Sequence, residues 1–177
     1  MISTGTFPTR LKFAEIKPLY KKGKLANISN CRPISLLTSF SKIFEKIIFT
    51  RLICHLLYNR ILVKEQFSFR TKSSMDLASY KLTNDTLMSL NNKLLVAGNF
   101  CHLEEAFYCV DNDLLLSKMH RYSISGKGYN LIQSYLKNRY QKVIIANKSR
   151  QYYSEWKPIR YGLPKAPSLV TCFLYCI

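Results

Sequence analysis

The sequence predicts an α+β protein in which strands and helices are interleaved and share a mixed sheet. Residues 11–20 roughly alternate between apolar and polar side chains, as a strand does. From Ser39 the apolar residues recur every three or four positions instead, as on one side of a helix. Strands interleaved with helices are typical of mixed-sheet proteins. With 177 residues, 47% of them apolar, the chain is long enough for a single domain with its own core.

The first third of the chain predicts two strands and a long helix. Residues 11–20 are followed by the turn signal Lys21-Lys22-Gly23-Lys24 and by a second apolar run at residues 33–37, so a basic loop joins two strands. A helix capped by Thr38 or Ser39 then runs to about Asn59. Its expected apolar face consists of Phe40, Ile43, Phe44, Ile47, Ile48 and Leu52.

The remaining elements are predicted from the same two patterns. Residues 61–72 form a loop. We expect helices at residues 74–91, 112–122 and 128–138, a short buried strand at 94–101, and a hairpin with arms at 140–146 and 152–159.

Charge is the strongest compositional signal. The chain has 27 Lys and Arg against 10 Asp and Glu, a formal net charge of +17. Such an excess favours a polyanionic partner, with nucleic acid first and an anionic membrane second. No run approaches the ~18 apolar residues of a spanning helix. Because residues 1–8 contain no apolar signal-peptide core, we expect an intracellular protein of the cytoplasm or nucleus that is not secreted, with its six cysteines as buried thiols.

Several segments in series resemble one enzyme family. They are residues 30–37 (NCRPISLL), 41–46 (SKIFEK), 66–70 (QFSFR), 106–118 (AFYCVDNDLLLSK) and the triplet Gly162-Leu163-Pro164. In this order and spacing they resemble the reverse transcriptases of non-LTR retrotransposons, most of all the jockey-like group, over essentially the whole chain. The resemblance implies one truncated domain with a partial right-hand polymerase fold: fingers at residues 1–92, an incomplete palm at 93–177 and no thumb.

The resemblance also implies RNA-directed DNA polymerisation, in which carboxylates hold two divalent cations. In the family the first carboxylate lies in the pattern F-x-D-L-x-x-A-F. Residues 100–107 read FCHLEEAF, so His102 stands at the position of the metal-binding aspartate. A neutral imidazole is a poor ligand for Mg²⁺, which prefers oxygen. Glu104 and Glu105 follow where side chains point in other directions, so we expect neither to replace the aspartate.

The second carboxylate pair of the family belongs to a later xADD motif. No two adjacent aspartates occur in the 177 residues. We therefore expect no intact catalytic residue, no metal site and no cofactor in this chain, although the family uses Mg²⁺.

The positions that contact phosphate and bases in the family are better preserved in this sequence than the carboxylates. By resemblance, Lys21, Lys22 and Arg32 bind the triphosphate of the incoming nucleotide. Ammonium groups and a guanidinium fork suit phosphate chemically. A basic turn that is merely solvated explains Lys21 and Lys22 equally well.

Three further positions have counterparts in the family. Arg70 corresponds to an arginine that contacts template or nucleotide, in a loop where Ser68 replaces a glycine. Phe107 corresponds to the nucleotide-binding aromatic residue that excludes a ribose 2′-hydroxyl, or is simply a core residue. Lys165 replaces a glutamine near the template.

These features predict a fragment of an RNA-directed DNA polymerase that is inactive in this chain. The expected partners are template RNA, primer DNA and deoxynucleotides, with no membrane. The alternatives are a non-catalytic nucleic-acid-binding relic and a pseudogene product without function. We also expect self-association, because an incomplete palm leaves strand 94–101 with an unpaired edge and uncovers apolar side chains near residues 169–175.

Overall fold

The computed structural model describes residues 3–24, 27, 30–68, 70, 73–101, 108–146, 150–163, 169 and 173. Contacts between residues divide the chain into two compact units. We call residues 1–55 with 105–177 the sheet unit, and residues 56–104 the helical unit.

Five strands form the sheet of the sheet unit. They are β1 (Phe13–Tyr20), β2 (Cys31–Leu36), β3 (Arg139–Ala146), β4 (Gln151–Tyr153) and β5 (Lys157–Ile159). The strand order is β2-β1-β3-β4, and β5 also pairs with β3. β1 is antiparallel to β2 and parallel to β3, whereas β4 and β5 are antiparallel to β3. The mixed sheet confirms the predicted class, an α+β protein.

The C-terminal hairpin is confirmed, with its second arm divided into β4 and β5. Ser154 lies between β4 and β5, and its hydrogen bonds to β3 differ from those of a regular antiparallel pair. Its backbone N–H donates to the Val143 carbonyl at 3.0 Å, and its hydroxyl oxygen accepts from the Val143 N–H at 2.8 Å. Because the side chain replaces a backbone carbonyl as acceptor, regular pairing is interrupted here.

The described residues contain four α-helices, α1 (Ser39–Tyr58), α2 (Met75–Asn91), α3 (Asn112–Arg121) and α4 (Gly126–Leu136), and a short 3₁₀ helix at Thr9–Lys12. α1, α2 and α3 lie where the sequence predicted them, and α4 begins two residues earlier. Side chains satisfy the free N–H groups at three helix starts. Thr38 accepts from Ser41 N–H, Ser74 from Leu77 N–H, and Asp111 from the first turn of α3.

In the described part of the chain, no helix has both the length and the apolar character needed to cross a bilayer. The cysteine prediction was wrong for the four cysteines that the structure describes. Cys54, Cys101 and Cys109 are exposed free thiols, and Cys31 is half-buried.

Residues 94–101 do not form the predicted buried strand. No strand is present there and every residue is exposed, including Leu95 at 103% of its reference area. The prediction was wrong because a short apolar run becomes a buried strand only beside a partner strand. In the described sheet, the neighbours of β1 are β2 and β3.

The structural basis for self-association is therefore also corrected. There is no strand edge at residues 94–101, and Leu169 and Phe173 are fully buried. The Phe173 ring lies 6.2 Å from that of Tyr135 in α4, centroid to centroid. Self-association stays a prediction: the expected strand edge is not present, two of the five apolar side chains are buried, and Val170, Leu174 and Tyr175 lie outside the described residues.

α1 turns a different face inward from the one predicted. Phe40 and Ile43 are 70% and 54% exposed, whereas Ser41 and Glu45 are buried. Ile48 and Leu52 are buried as expected. The buried core of the sheet unit is completed mainly by α3 and α4, with Leu115, Leu116, Met119, Leu131, Ile132, Tyr135 and Leu136.

Candidate nucleic-acid interface

The loop between β1 and β2 holds its lysines in solvent. Lys21 N–H donates to the Asn30 carbonyl at 2.9 Å, which extends the ladder by one rung beyond the strands. Gly23 has φ +96°, and a Cβ at this position would lie 2.6 Å from the Asn30 amide nitrogen. Only glycine fits such a turn without displacement. Lys21, Lys22 and Lys24 are all exposed.

Arg32 lies on the same hairpin, opposite Leu19 on β1. Its side chain is exposed, whereas its neighbours Cys31 and Pro33 are half-buried, as strand alternation requires. The hairpin thus brings together three of the predicted nucleotide-binding residues, Lys21, Lys22 and Arg32, on one exposed β-ribbon. We call Lys21, Lys22, Lys24 and Arg32 the basic hairpin.

The outer surface of the sheet carries aromatic rings and a lysine that the sequence analysis did not single out. Phe13 pairs with Tyr140 across the parallel strands, and the rings stack at 5.2 Å with 12° between their planes. The Trp156 ring meets Phe13 edge-on at 5.0 Å. The Lys142 ammonium lies 4.9 Å from the ring centroids of both Trp156 and Tyr153. We call Phe13, Tyr140, Lys142, Tyr153 and Trp156 the aromatic–basic face.

Three side chains of this face are exposed, Tyr140 and Lys142 are half-buried, and one ion pair holds the lysine in place. Phe13, Trp156 and Tyr153 are 39%, 41% and 57% exposed. Lys142 Nζ lies 2.9 Å from Glu15 Oε1, the carboxylate of its partner across the ladder. A carboxylate and two rings around one ammonium restrict the lysine to a narrow range of orientations. The signal available in the sequence was the alternation of β3, because Tyr140 and Lys142 lie two residues apart on the same side.

The opposite side of β3 is anchored by a buried polar network. Tyr135 donates its hydroxyl proton to Glu45 Oε1 at 2.9 Å, and Ser41 donates to the same oxygen at 3.3 Å. Arg139 is 1% exposed, donates to the Tyr135 carbonyl at 3.3 Å, and stacks its guanidinium 4.7 Å from the Tyr135 ring. Because Arg139 begins β3, its burial fixes the neighbouring Tyr140 on the outer surface.

Burial controls the protonation of this network. It raises the pKa of the Glu45 carboxyl above its ordinary value of 4.5, against hydrogen bonds from Tyr135 and Ser41 and the charge of Arg139. It also raises the pKa of the Tyr135 hydroxyl. Lys12, which donates to the Lys137 carbonyl at 3.2 Å, has a pKa lowered by burial and by the nearby Arg139 charge.

Arg70 belongs to the helical unit and is already engaged there. Its Nη1 donates to the Val63 carbonyl at 3.1 Å, within the loop that precedes α2. In the same unit, Lys81 pairs with Glu65 at 3.7 Å and lies 5.8 Å from the Phe67 ring centroid. Arg70 therefore holds its own loop together through this bond.

The other predicted site residues lie outside the described part of the chain. These are His102, Phe107 and Lys165, together with Glu104 and Glu105. Within the described ranges, no three His, Cys, Asp or Glu side chains converge as a cation site would require. That His102 replaces the metal-binding aspartate of the family therefore stays a prediction, and on that prediction the residues present do not fit Mg²⁺.

A mixed sheet with a basic hairpin and an exposed aromatic–basic face is typical of domains that bind nucleic acid, and comparison with known proteins identifies the family. The family described as reverse transcriptase (RNA-dependent DNA polymerase) matches residues 19–177. The chain therefore belongs to the reverse transcriptase family.

Its relatives are encoded by mobile elements of flies. The chain is 33% identical over 172 residues to a protein named as the probable RNA-directed DNA polymerase from transposon BS of Drosophila melanogaster, covering 97% of this chain and 18% of that protein. It is 30% identical over 178 residues to the RNA-directed DNA polymerase from mobile element jockey of the same species, covering 98% and 19%. The resemblance to jockey-like, non-LTR retrotransposon reverse transcriptases is thereby confirmed. The chain spans about a fifth of the length of these curated relatives.

Proposed function

We propose that this chain is a segment of a non-LTR retrotransposon reverse transcriptase that binds single-stranded nucleic acid without polymerising it. The observation that carries the proposal is the aromatic–basic face on the same sheet as the basic hairpin. Aromatic rings stack with bases of any sequence, and lysine and arginine neutralise phosphates. In this assignment RNA or DNA is the partner, inside the cell.

Each predicted binding residue has a place in this proposal. Lys21, Lys22 and Arg32 contact phosphates, because they are exposed cations on one ribbon whose loop contains no carboxylate among its described residues. Arg70 contributes a further phosphate contact through the N–H groups that do not bond to Val63. By family resemblance alone, Phe107 contacts the nucleotide sugar and Lys165 lies near the template.

The absence of polymerisation rests on His102. Reverse transcription in the family depends on carboxylates that hold Mg²⁺, and an imidazole brings no negative charge to that position. Primer extension on an RNA template, with Mg²⁺ or Mn²⁺, should give no product above a heat-denatured control. His102→Asp alone should restore nothing, because no adjacent aspartate pair is present in these 177 residues. Templated product from either protein would show that the active site has been misplaced.

Binding can be followed without a label, because Trp156 is the single tryptophan of the sequence. Titration with a 20-nucleotide single-stranded RNA should quench its fluorescence as bases stack on the face. Trp156→Phe abolishes the signal, so anisotropy of a labelled RNA gives the affinity independently. Unchanged Trp156 fluorescence together with tight binding by anisotropy would place the interface elsewhere.

Two sets of variants separate stacking from charge. Tyr153→Ala should weaken binding by about 1–3 kcal/mol with an unchanged salt slope, because a stacked ring releases no counterion. Tyr80→Ala removes a tyrosine of α2 that is 69% exposed, against 57% for Tyr153, and should have no effect. Replacing Lys21, Lys22, Arg32 and Arg70 together with Ala should flatten the slope of log K against log salt by roughly 0.7 for each phosphate that is no longer neutralised. An unchanged slope would reject the basic hairpin as a binding element.

The pseudogene alternative makes a different prediction in the same titrations. A chain with no retained function has no reason to distinguish Tyr153 from Tyr80. Equal effects of the two alanine variants, at all salt concentrations, would favour that alternative.

A further inference from the structure

An apolar groove lies between α1 and α4, away from the aromatic–basic face. It has a volume of about 480 Å³. Its floor is aliphatic and consists of Ile47, Ile48, Leu52, Ile124, Leu131 and Ile132. A second, shallower cavity of about 370 Å³ shares Ile47 and Arg51 with the first and extends it along α1 to Ile43. We call the two together the α1–α4 groove.

The walls of the groove are fixed relative to each other. His55 Nε2, near the end of α1, donates to the carbonyl of Tyr122 at 2.9 Å, in the turn between α3 and α4. Ile48 and Leu52 are both only 5% exposed, so the wall beneath the groove belongs to the packed core. A preformed depression of this kind binds without the cost of ordering a loop.

The rim of the groove is cationic. Lys46, Arg51 and Lys127 line it, and no aspartate or glutamate is among its described lining residues. The nearest acid in α1, Glu45, is buried in the opposite direction against Tyr135. A ligand that fits the groove therefore combines apolar side chains for the floor with carboxylates for the rim.

The same chemistry argues against three other occupants. Single-stranded nucleic acid stacks its bases on aromatic rings, and no Phe, Tyr or Trp lines the described groove, whose aliphatic floor offers nothing to bases or phosphates. A second copy brings another +17 charge, and α1–α4 together contain only Glu45, Asp76, Asp85 and Asp113 as acids. A membrane surface is flat on the scale of this groove and does not fill it.

We infer that the α1–α4 groove docks an acidic amphipathic helix of a separate protein. Apolar side chains at the spacing i, i+3, i+4 and i+7 lie on the aliphatic floor, as in other helix-in-groove complexes. Glutamates or aspartates flanking that stripe face Lys46, Arg51 and Lys127. The inference is independent of nucleic-acid binding, which uses the outer surface of the sheet.

The test uses the full chain and a synthetic helix as the probe. The probe is a labelled 16-residue peptide with leucines at the i, i+3, i+4, i+7 spacing and glutamates on the remaining faces, and binding is measured by fluorescence anisotropy. One control peptide has the same composition with the leucines dispersed around the helix. A second control has lysines in place of the glutamates. We expect the probe to bind at least tenfold more tightly than either control.

Matched variants of the chain locate the site. The double variant Arg51→Glu, Lys127→Glu should bind the probe at least tenfold more weakly. The double variant Lys42→Glu, Lys64→Glu changes the net charge equally outside the groove and should bind the probe as the unmodified chain does. All four side chains are exposed, so folding is retained. Ile47→Gln should lower the affinity for the probe, whereas Ile145→Gln, which changes an exposed side chain of β3, should not.

Several outcomes would overturn the inference. They are equal binding of the probe and the dispersed-leucine control, equal effects of the two charge-reversal pairs, and an unchanged affinity in Ile47→Gln. Displacement of the probe by the 20-nucleotide RNA, or groove-dependent binding to anionic phosphatidylserine vesicles in its place, would assign the groove to another partner. Concentration-dependent dimerisation that the probe blocks would assign it to a second copy. Salt-dependent RNA binding with no probe binding would reject this inference and leave the proposed function standing.

Discussion

The sheet unit and the helical unit put helices of similar apolar content to opposite uses. In the sheet unit, the ten-residue α3 buries Leu115, Leu116 and Met119. In the helical unit, the 17-residue α2 buries no residue, and Leu82 and Leu87 are 56% and 55% exposed. Both helices have a side-chain cap at the start. Caps and local hydrogen bonds are therefore sufficient to define a helix, whereas the burial of its side chains depends on what packs against it.

The two units also differ in whether their charged side chains are buried. The sheet unit buries Glu45 and Arg139 in one hydrogen-bonded network. The helical unit keeps its Glu65–Lys81 pair in solvent, with side chains 70% and 44% exposed. Buried charges couple distant segments strongly, whereas exposed pairs contribute little because water and salt screen them.

The largest expected effect is the loss of Glu45. Glu45→Ala leaves the Tyr135 hydroxyl without its acceptor and Arg139 without a nearby carboxylate, so we expect a loss of about 3–5 kcal/mol in the free energy of unfolding. Glu65→Ala breaks the exposed pair and should cost less than about 1 kcal/mol. Urea denaturation followed by circular dichroism measures both. Similar values for the two variants would erase the distinction between the units.

The second contrast concerns apolar truncation. Leu115 is 1% exposed, so Leu115→Ala should cost about 2–5 kcal/mol, because it removes buried apolar surface and leaves a cavity in the core. Leu87→Ala removes an equally large side chain from α2 and should change stability by less than about 0.5 kcal/mol. Thermal or urea unfolding decides between them. A large loss in Leu87→Ala would mean that α2 has a packing partner.

The third contrast is in pH dependence. Because the pKa of Glu45 is raised on folding, the folded chain retains a proton that the unfolded chain releases near pH 4.5. The free energy of unfolding contributed by this group therefore falls as pH rises from about 4.5 through the folded pKa, and is recovered on acidification. Glu45→Gln, which cannot titrate, should flatten the profile in that window. An identical slope in wild type and Glu45→Gln would refute the raised pKa.

The smallest expected effect is local. Ser74→Ala removes the acceptor of Leu77 N–H at the start of α2 and should destabilise that helix by about 1 kcal/mol. Amide hydrogen exchange should become faster in the first turns of α2 and stay unchanged in α4. Equal acceleration in both helices would mean that the two units open together.

Much of the local structure could be predicted from the sequence, because the signals lie within a few residues. Three such signals each act over a single turn or hairpin: the turn Lys21–Lys24, the cap before α2 and the three-to-four spacing of apolar residues in α1. The family resemblance was equally available, since it rests on ordered motifs. The absence of a strand at residues 94–101 was not predictable in this way, because an apolar run becomes a strand only beside a partner strand.

The helices α1–α3, the turn of the basic hairpin and the net charge follow from the sequence alone. Which face of α1 is buried depends on the tertiary structure, because Glu45 accepts a hydrogen bond from Tyr135, 90 positions further along the chain. The tertiary structure also decided that Phe13 and Tyr140 share one exposed surface, through the parallel pairing of β1 and β3. In both cases the physical reason is the same: hydrogen bonds and ring contacts between distant residues leave no periodic trace in the local sequence.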